Sequence, residues 1–323
     1  MKLLSIIVPC YNEQEVLPLF YDKITEVMGS MKEEFPELDY EVVFINDGSK
    51  DRTLDGLREY ARMDERIRYI SFSRNFGKEA GMFAGLEAAK GDYVVVMDAD
   101  LQHPPEFLPQ MYRYVKSGEY DCATTRRVNR NGESKVRSWF ARKFYQIMNK
   151  ISQTEIVDGA QDFRFMTRQM VDCILSLKEY NRFSKGIFSW VGFRVKYIEY
   201  ENVERAAGTT AWSFWGLFKY SIEGIVAFST APLAIASLLG IISCVIAFIM
   251  AIIIIIQKLT FGIDEAGYPT IACLVLFLGG LQLFTIGILG QYLSKTYMEC
   301  KRRPIYLIHE TEKSLKENDD QES

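Results

Sequence analysis

Short apolar runs alternate with longer mixed segments through the first 210 residues. Leu4–Val8, Val42–Ile45, Ile67–Phe72 and Tyr93–Met97 are rich in β-branched and aromatic residues, a pattern that predicts strands. Between and after them, Val16–Met31, Thr53–Met63, Lys78–Lys90 and Phe107–Val115 carry the longer spacing of helices. Strands that alternate with helices predict an α/β domain whose mostly parallel sheet is covered on both faces. Ligands of such sheets bind beyond the carboxyl ends of the strands.

The pattern then changes. No charged residue lies between Gly224 and Gln257, and none between Ala266 and Ser294. A bilayer core about 30 Å thick needs roughly 20 apolar helical residues, so both stretches predict transmembrane helices. Lys219 precedes the first; Lys295, Lys301, Arg302 and Arg303 follow the second; the link between them holds Lys258 against Asp264 and Glu265. The positive-inside rule puts both termini in the cytoplasm. Aromatic residues around Lys219, from Trp212 to Tyr220, suit a helix lying in the headgroup layer. The expected division is a cytoplasmic catalytic domain over 1–210, a juxtamembrane amphipathic helix over 211–227, spans over 228–257 and 269–294, an external loop over 258–268 and a cytoplasmic segment over 295–323. The charged tail after Thr311 is expected to fray.

Composition narrows the chemistry. The 323 residues carry Lys+Arg 38 against Asp+Glu 42, a net charge of −4, which argues against bulk binding to nucleic acid. A mean hydropathy of −0.04 averages two unlike parts. The 6 cysteines form no CxxC pair, and only His103 and His309 could add imidazole, so neither a zinc site nor a disulfide framework is expected. There is no GxGxxG and no GxxxxGK[ST], which removes the usual dinucleotide and P-loop signatures.

Polar groups instead cluster where strands end. They are Pro9-Cys10-Tyr11-Asn12-Glu13, Asn46-Asp47-Gly48-Ser49, Ser73-Arg74-Asn75-Phe76-Gly77-Lys78, and Asp98-Ala99-Asp100-Leu101-Gln102-His103. Residues two apart on an extended chain share one side, so Asp98 and Asp100 can share a hard cation, or divide between a cation and a sugar hydroxyl, with Gln102 as a neutral oxygen donor. Asn46 to Ser49 reads either as a helix-capping turn or as a carboxylate held against a nucleobase N–H. Between Arg126 and Lys143 stand seven basic residues, including Arg127, Arg130, Lys135 and Arg137, with Glu133 the only acid. This run is a solvated or lipid-facing surface, or a clamp for a phosphate-bearing acceptor. Asp162 and Arg164 alternate with Phe163 and Phe165 as in a half-buried strand; Asp162 is either a partner of Arg164 or a base facing the acceptor.

Taken together, these motifs resemble the family-2 glycosyltransferases of GT-A fold. More narrowly, they resemble the polyprenyl-phosphate glycosyltransferases, bacterial bactoprenol glucosyltransferases and dolichyl-phosphate mannose synthase among them. The resemblance runs from Ser5 to about Ile308. It implies a GT-A nucleotide-diphospho-sugar domain followed by two transmembrane helices, in the bacterial inner membrane. It implies inverting transfer of a hexose, glucose or N-acetylglucosamine, from a UDP-sugar to undecaprenyl phosphate, with Mg²⁺ or Mn²⁺ as cofactor and a homo-tetramer as the assembly. By the same resemblance Pro9, Tyr11, Glu13, Ile45, Asp47 and Lys78 belong to the donor pocket, and Asp98 and Ala99 contact the nucleoside. Asp100 and Gln102 hold the metal, Arg126, Arg127, Arg130, Lys135 and Arg137 receive the acceptor phosphate, and Asp162 sits at the reaction centre. Two rivals remain. A processive polysaccharide synthase is echoed by Gln161-Asp162-Phe163-Arg164-Phe165, but two spans are few for a polymer channel. A non-enzymatic membrane scaffold would not need four polar strand ends.

The family pattern near Arg205 is Arg-x-x-Gly-x-Ser-Lys followed by an aromatic residue. This chain keeps Arg205, Gly208 and Trp212 but has Ala211 where the pattern has Lys. A cation is thereby removed from a site that must neutralise diphosphate charge. Ala211→Lys is expected to tighten donor binding, measured by calorimetric titration with UDP-sugars; an unchanged affinity would discard this reading of the position.

Overall fold

The computed structural model describes residues 1–127, 143, 146, 148–151, 157, 159–200, 222, 224–261 and 267–315. The chain begins with β1 (Lys2–Cys10), α1 (Leu17–Glu34), β2 (Leu38–Asn46), α2 (Thr53–Met63), β3 (Ile67–Phe72), α3 (Lys78–Ala88) and β4 (Tyr93–Val96). It continues through α4 (Leu108–Lys116), β5 (Cys122–Arg127), β6 (Ala160–Thr167), α5 (Arg168–Ser176), α6 (Ser184–Trp190) and β7 (Val195–Tyr200). Two long helices, α7 (Ala231–Phe261) and α8 (Tyr268–Cys300), precede a last strand, β8 (Ile308–Thr311).

All these strands join one mixed sheet in the order β7-β5-β6-β4-β1-β2-β3-β8. The expected alternating elements of the first 116 residues are present, and β1 to β4 are parallel neighbours. The strand period explains how one sheet serves two cores. Leu4, Ile6 and Val8 of β1 pack with α1, α2 and α4, whereas Ile7 points to the other face with α3, α5 and α6. Both faces are covered, so the central strands read as nearly continuous apolar runs. Gly85 lets α3 lie close on β1: a Cβ there would stand 2.1 Å from Cγ2 of Ile7.

The strand expected around Asp162 is β6, whereas β5, β7 and β8 escaped the sequence pattern. β6 runs antiparallel between β4 and β5, and its buried residues include Arg164 as well as Phe163 and Phe165, so it is buried on both sides rather than half-buried. β8 comes from beyond both long helices and pairs antiparallel with β3. Ile308 in β8 remains 50% exposed, so apolar burial contributes little to holding this strand. Ion pairs do more. Glu310 accepts two bonds from Arg58, at 2.9 and 2.7 Å, and one from the Tyr69 hydroxyl at 2.9 Å. Glu312 accepts from Arg68 at 3.0 Å, and Arg68 also reaches buried Glu41 at 2.9 Å. The expectation of a frayed tail after Thr311 is therefore corrected for Glu312 to Leu315: the ion pair anchors Glu312, and Leu315 packs against the core.

α7 and α8 contain windows of 20 and 27 residues, Ala231–Met250 and Leu274–Cys300, that are long and apolar enough to cross a membrane. Their large side chains face outward, Phe248 at 69% and Leu276 at 75% exposed. The last turns of α8 dock on the α/β domain. Glu299 accepts from the backbone N–H of Tyr180 at 2.9 Å, Lys295 donates to Asn181 Oδ1 at 3.1 Å, and the Tyr292 hydroxyl donates to the Ser229 carbonyl at 2.6 Å. Beyond it the Tyr306 ring stacks on Phe72 at 4.9 Å.

Glu310→Ala is expected to lower stability by about 1–2 kcal/mol, the scale of partly exposed charge-assisted bonds. Deleting residues 305–323 should cost more and promote aggregation through the bared β3 edge. Thermal unfolding of the full chain in detergent checks both; an unchanged midpoint after the deletion would refute the role given to β8.

Candidate active site

The carboxyl ends of β1, β2, β3 and β4 open on one edge of the sheet, and antiparallel β6 begins there. Val96 of β4 pairs with Arg164 of β6, and just past the end of that pairing Asp98 and Asp162 both reach one ammonium. Lys78 completes the group, its ammonium 2.7 Å from Asp98 Oδ1 and 2.9 Å from Asp162 Oδ2. A lysine at the first position of a helix has the wrong sign for the helix dipole, at a cost of about 0.3–1 kcal/mol. Two charge-assisted bonds, each worth about 1.5–3 kcal/mol, outweigh it. Burial opposes charge on Asp162, but Lys78, Lys185 and Arg164 together hold its carboxyl well below the usual carboxylate range. Burial likewise opposes charge on Lys78, and Asp162 and Asp98 hold its ammonium above the ordinary lysine value.

The loops behind this cluster are cross-tied. Asp47 is buried, and its two oxygens accept the backbone N–H groups of Phe76 at 2.6 Å and Gly77 at 2.9 Å. Burial pushes its carboxyl up against those bonds. Asp47 thus fixes the turn from which Lys78 departs. Gly48, at φ +64°, lets that turn approach: a Cβ would stand 2.4 Å from the Arg74 carbonyl carbon. Asn12 ties the β1 and β2 loops, donating its N–H to Ser49 Oγ at 3.0 Å and accepting from Lys50 N at 2.8 Å. The turn left open by the sequence is seen here, with Ser49 N donating to Asn46 Oδ1 at 3.1 Å; the helix after it, α2, has no side-chain cap, so the capping reading is corrected.

Each expected site residue can now be placed. Tyr11 is 41% exposed beside the partly buried Pro9 and Glu13, in reach of the same edge. Ile45 and Ala99 have buried side chains in the core, so they build the floor of the edge and offer at most backbone to a ligand. The extended Asp98-Ala99-Asp100 geometry does not occur. β4 ends at Val96 and the chain turns, with Leu101 at φ 56°. Asp98 is bound to Lys78, whereas Asp100 accepts from Gln102 N at 3.1 Å. Arg126 and Arg127 end β5 on this same edge, Arg126 lying 3.7 Å from Glu199. Arg130, Lys135, Arg137, Arg205 and Ala211 lie outside the described residues.

Among the described residues no three carboxylate, imidazole or thiol groups gather as a closed metal cage. Asp100 and Gln102 form a different set: one carboxylate and one amide oxygen, both partly exposed at the mouth of the edge. Such hard oxygens fit Mg²⁺ or Mn²⁺ only when water and phosphate oxygens complete the shell. His103 was overlooked as a neighbour of the reactive groups. It is buried, stacked on Phe163 at 5.6 Å, with Nδ1 3.9 Å from Asp98 and without a hydrogen-bond partner. Only its position in the run from Asp98 to Pro105 hinted at this.

The glycosyl transferase family 2 model matches residues 5–175. CsbB of Bacillus subtilis, which bears a glycosyltransferase name, is 46% identical over 310 residues, 95% of this chain and 92% of that one. A prophage bactoprenol glucosyl transferase homolog of Escherichia coli is 40% identical over 96% of this chain and 99% of its own. Glucosyl-3-phosphoglycerate synthase from Mycobacterium tuberculosis, solved with Mn²⁺, UDP-glucose and phosphoglyceric acid, is 19% identical over 70% of this chain and 78% of that one, with a TM-score of 0.44.

Lys78→Met leaves two facing carboxylates without their shared cation. It is expected to lower stability at pH 7 by about 1–3 kcal/mol, discounted from a fully buried pair because Lys78 is partly exposed. Denaturant unfolding of the full chain measures it; a loss under about 0.5 kcal/mol would mean the bridge does not organise the edge.

Proposed function

The chain belongs to glycosyl transferase family 2, and on that premise we propose that it transfers a hexose from a UDP-sugar to a polyprenyl phosphate in the membrane. The observation that carries the lipid acceptor is continuity: likeness to the bactoprenol glucosyl transferase homolog covers 96% of this chain, both long apolar helices included. Glucose is the first sugar to test, ahead of N-acetylglucosamine, because that relative is named a glucosyl transferase. In this reading the helices cross a bacterial cytoplasmic membrane, with the α/β domain and both termini in the cytoplasm. The outward apolar faces of α7 and α8 leave room for copies to associate, and a tetramer is part of the proposal.

The geometry supports a displacement with little proton chemistry. A phosphate monoester has its second pKa near ~6, so the acceptor is already anionic and nucleophilic at neutral pH. The acceptor oxygen attacks the sugar C1 while the C1–O bond to UDP breaks, and the configuration inverts. Asp100 and Gln102 would hold a divalent cation, which would supply charge neutralisation for the leaving group. Tyr11, Glu13 and the Asp47-clamped turn frame the nucleotide. Arg126 and Arg127, with the basic run after them, receive the acceptor phosphate. Asp162 is held ionised by Lys78, Lys185 and Arg164; it orients and balances charge instead of cycling a proton.

The test is a transfer assay with the full chain in detergent, polyprenyl phosphate, Mg²⁺ or Mn²⁺ and labelled UDP- and GDP-sugars, reading label in the organic phase. Asp100→Asn should cut kcat at least ~100-fold, about 2.7 kcal/mol of barrier, and EDTA should abolish transfer. Asp162→Asn should also lower kcat yet leave the pH–rate profile between about pH 5 and 9 unshifted, because a carboxyl held below its usual value is already ionised there. Wild-type protein that labels no lipid with any donor would overturn the proposal.

A further inference from the structure

A basic centre lies behind the β3–α3 turn, where the α/β domain meets the end of α8. A cavity of about 370 Å³ is lined by Arg74 and Gly77 of the β3–α3 turn, by Asn181 and Arg182 before α6, and by Lys295 of α8. Its three cationic side chains come from three separate elements, and among the described residues none of them makes an ion pair. Arg74 lies over the Phe76 ring at 3.9 Å and Arg182 over the Phe83 ring at 4.4 Å, which holds both guanidinium planes in place. Asn181 spends its amide oxygen on Lys295, and among the described residues its buried Nδ2 has no hydrogen-bond partner. Burial lowers the Arg182 pKa; Glu79, Glu179 and Glu87 act in the other direction from a distance.

We propose that this cavity binds the phosphate group of a membrane lipid. Lys295 fixes the level: it is the first charged residue after the uncharged run from Ala266 to Ser294, where a lysine on a spanning helix meets headgroup phosphates. Guanidinium groups offer planar forks to phosphate oxygens, and the orphaned Asn181 amide adds a neutral donor. The one carboxylate on the wall, Glu79, accepts from Ser184 N and Ser184 Oγ. Burial raises its pKa against those bonds. The site depends on α8 crossing the bilayer and not on which sugar is transferred. An occupied site would fasten the β3–α3 turn, and with it Lys78, to the membrane surface.

Native mass spectrometry of the full chain in uncharged detergent, titrated with phosphatidylglycerol or with polyprenyl phosphate, tests this. The wild type should retain one anionic lipid, and Arg74→Gln and Lys295→Gln should each weaken retention at least ~10-fold, with UDP binding unchanged in Lys295→Gln. Arg74 is exposed, and among the described residues its hydrogen bond is to the adjacent Asn75 carbonyl, so its removal spares the fold. Retention of polyprenyl phosphate over phosphatidylglycerol assigns the cavity to the acceptor; equal retention assigns it to bilayer lipid at large. Both results uphold the proposal when the variants lose binding. Wild-type protein that retains neither lipid, or variants that retain both at wild-type affinity, overturn it. Insertion into phosphatidylcholine vesicles reads the membrane crossing separately, and a chain that stays outside them would overturn that premise and the site with it.

Discussion

One ammonium group holds the reactive edge together. Asp98, just beyond β4, and Asp162 of β6 converge on the Lys78 ammonium. Bare carboxylates brought together in this way repel. Lys78 converts that repulsion into two short bonds. The lysine can do so because Asp47 clamps the two residues before it. Gly48 allows that clamp to close, and Gly85 allows α3 to sit low enough on β1. The floor, the turn and the charge balance of the edge therefore form one mechanical unit.

The same economy joins the two halves of the molecule. The chain leaves the α/β domain, runs through α7 and α8, and returns to add β8 to the sheet beside β3. The apolar helices are thus held at both ends by one body. Glu310 and Glu312 secure the returning strand through arginines on α2 and β3, and Glu299 and Lys295 secure the helix end before it. Asp98 and Asp162 gather at the edge around Lys78, while Arg74, Arg182 and Lys295 line the cavity at the junction with α8.

Much of this was legible along the chain. The strands and helices as far as Lys116 follow from periodicity, because local patterning decides which faces are buried. The two long helices follow from uninterrupted apolar runs. The polar strand ends locate the edge and hold Lys78 and Asp100, and Asp162 stands out separately from the alternation around it. The half-buried reading of β6 was wrong because a strand between two neighbours and under helices buries both faces, Arg164 included. The shared face for Asp98 and Asp100 was wrong because β4 stops at Val96, and the alternation rule stops with it.

By itself the sequence determined the element types, the apolar helices and the kind of chemistry its side chains can perform, since these rest on composition and short-range spacing. Tertiary structure alone decided the partners. Asp98 and Asp162 meet at Lys78, which reaches both from the first turn of α3, and β8 finds β3 from about 240 residues away in the chain. Those pairings depend on long-range closure and on which charges are left uncompensated when the sheet forms, and no local pattern carries that information.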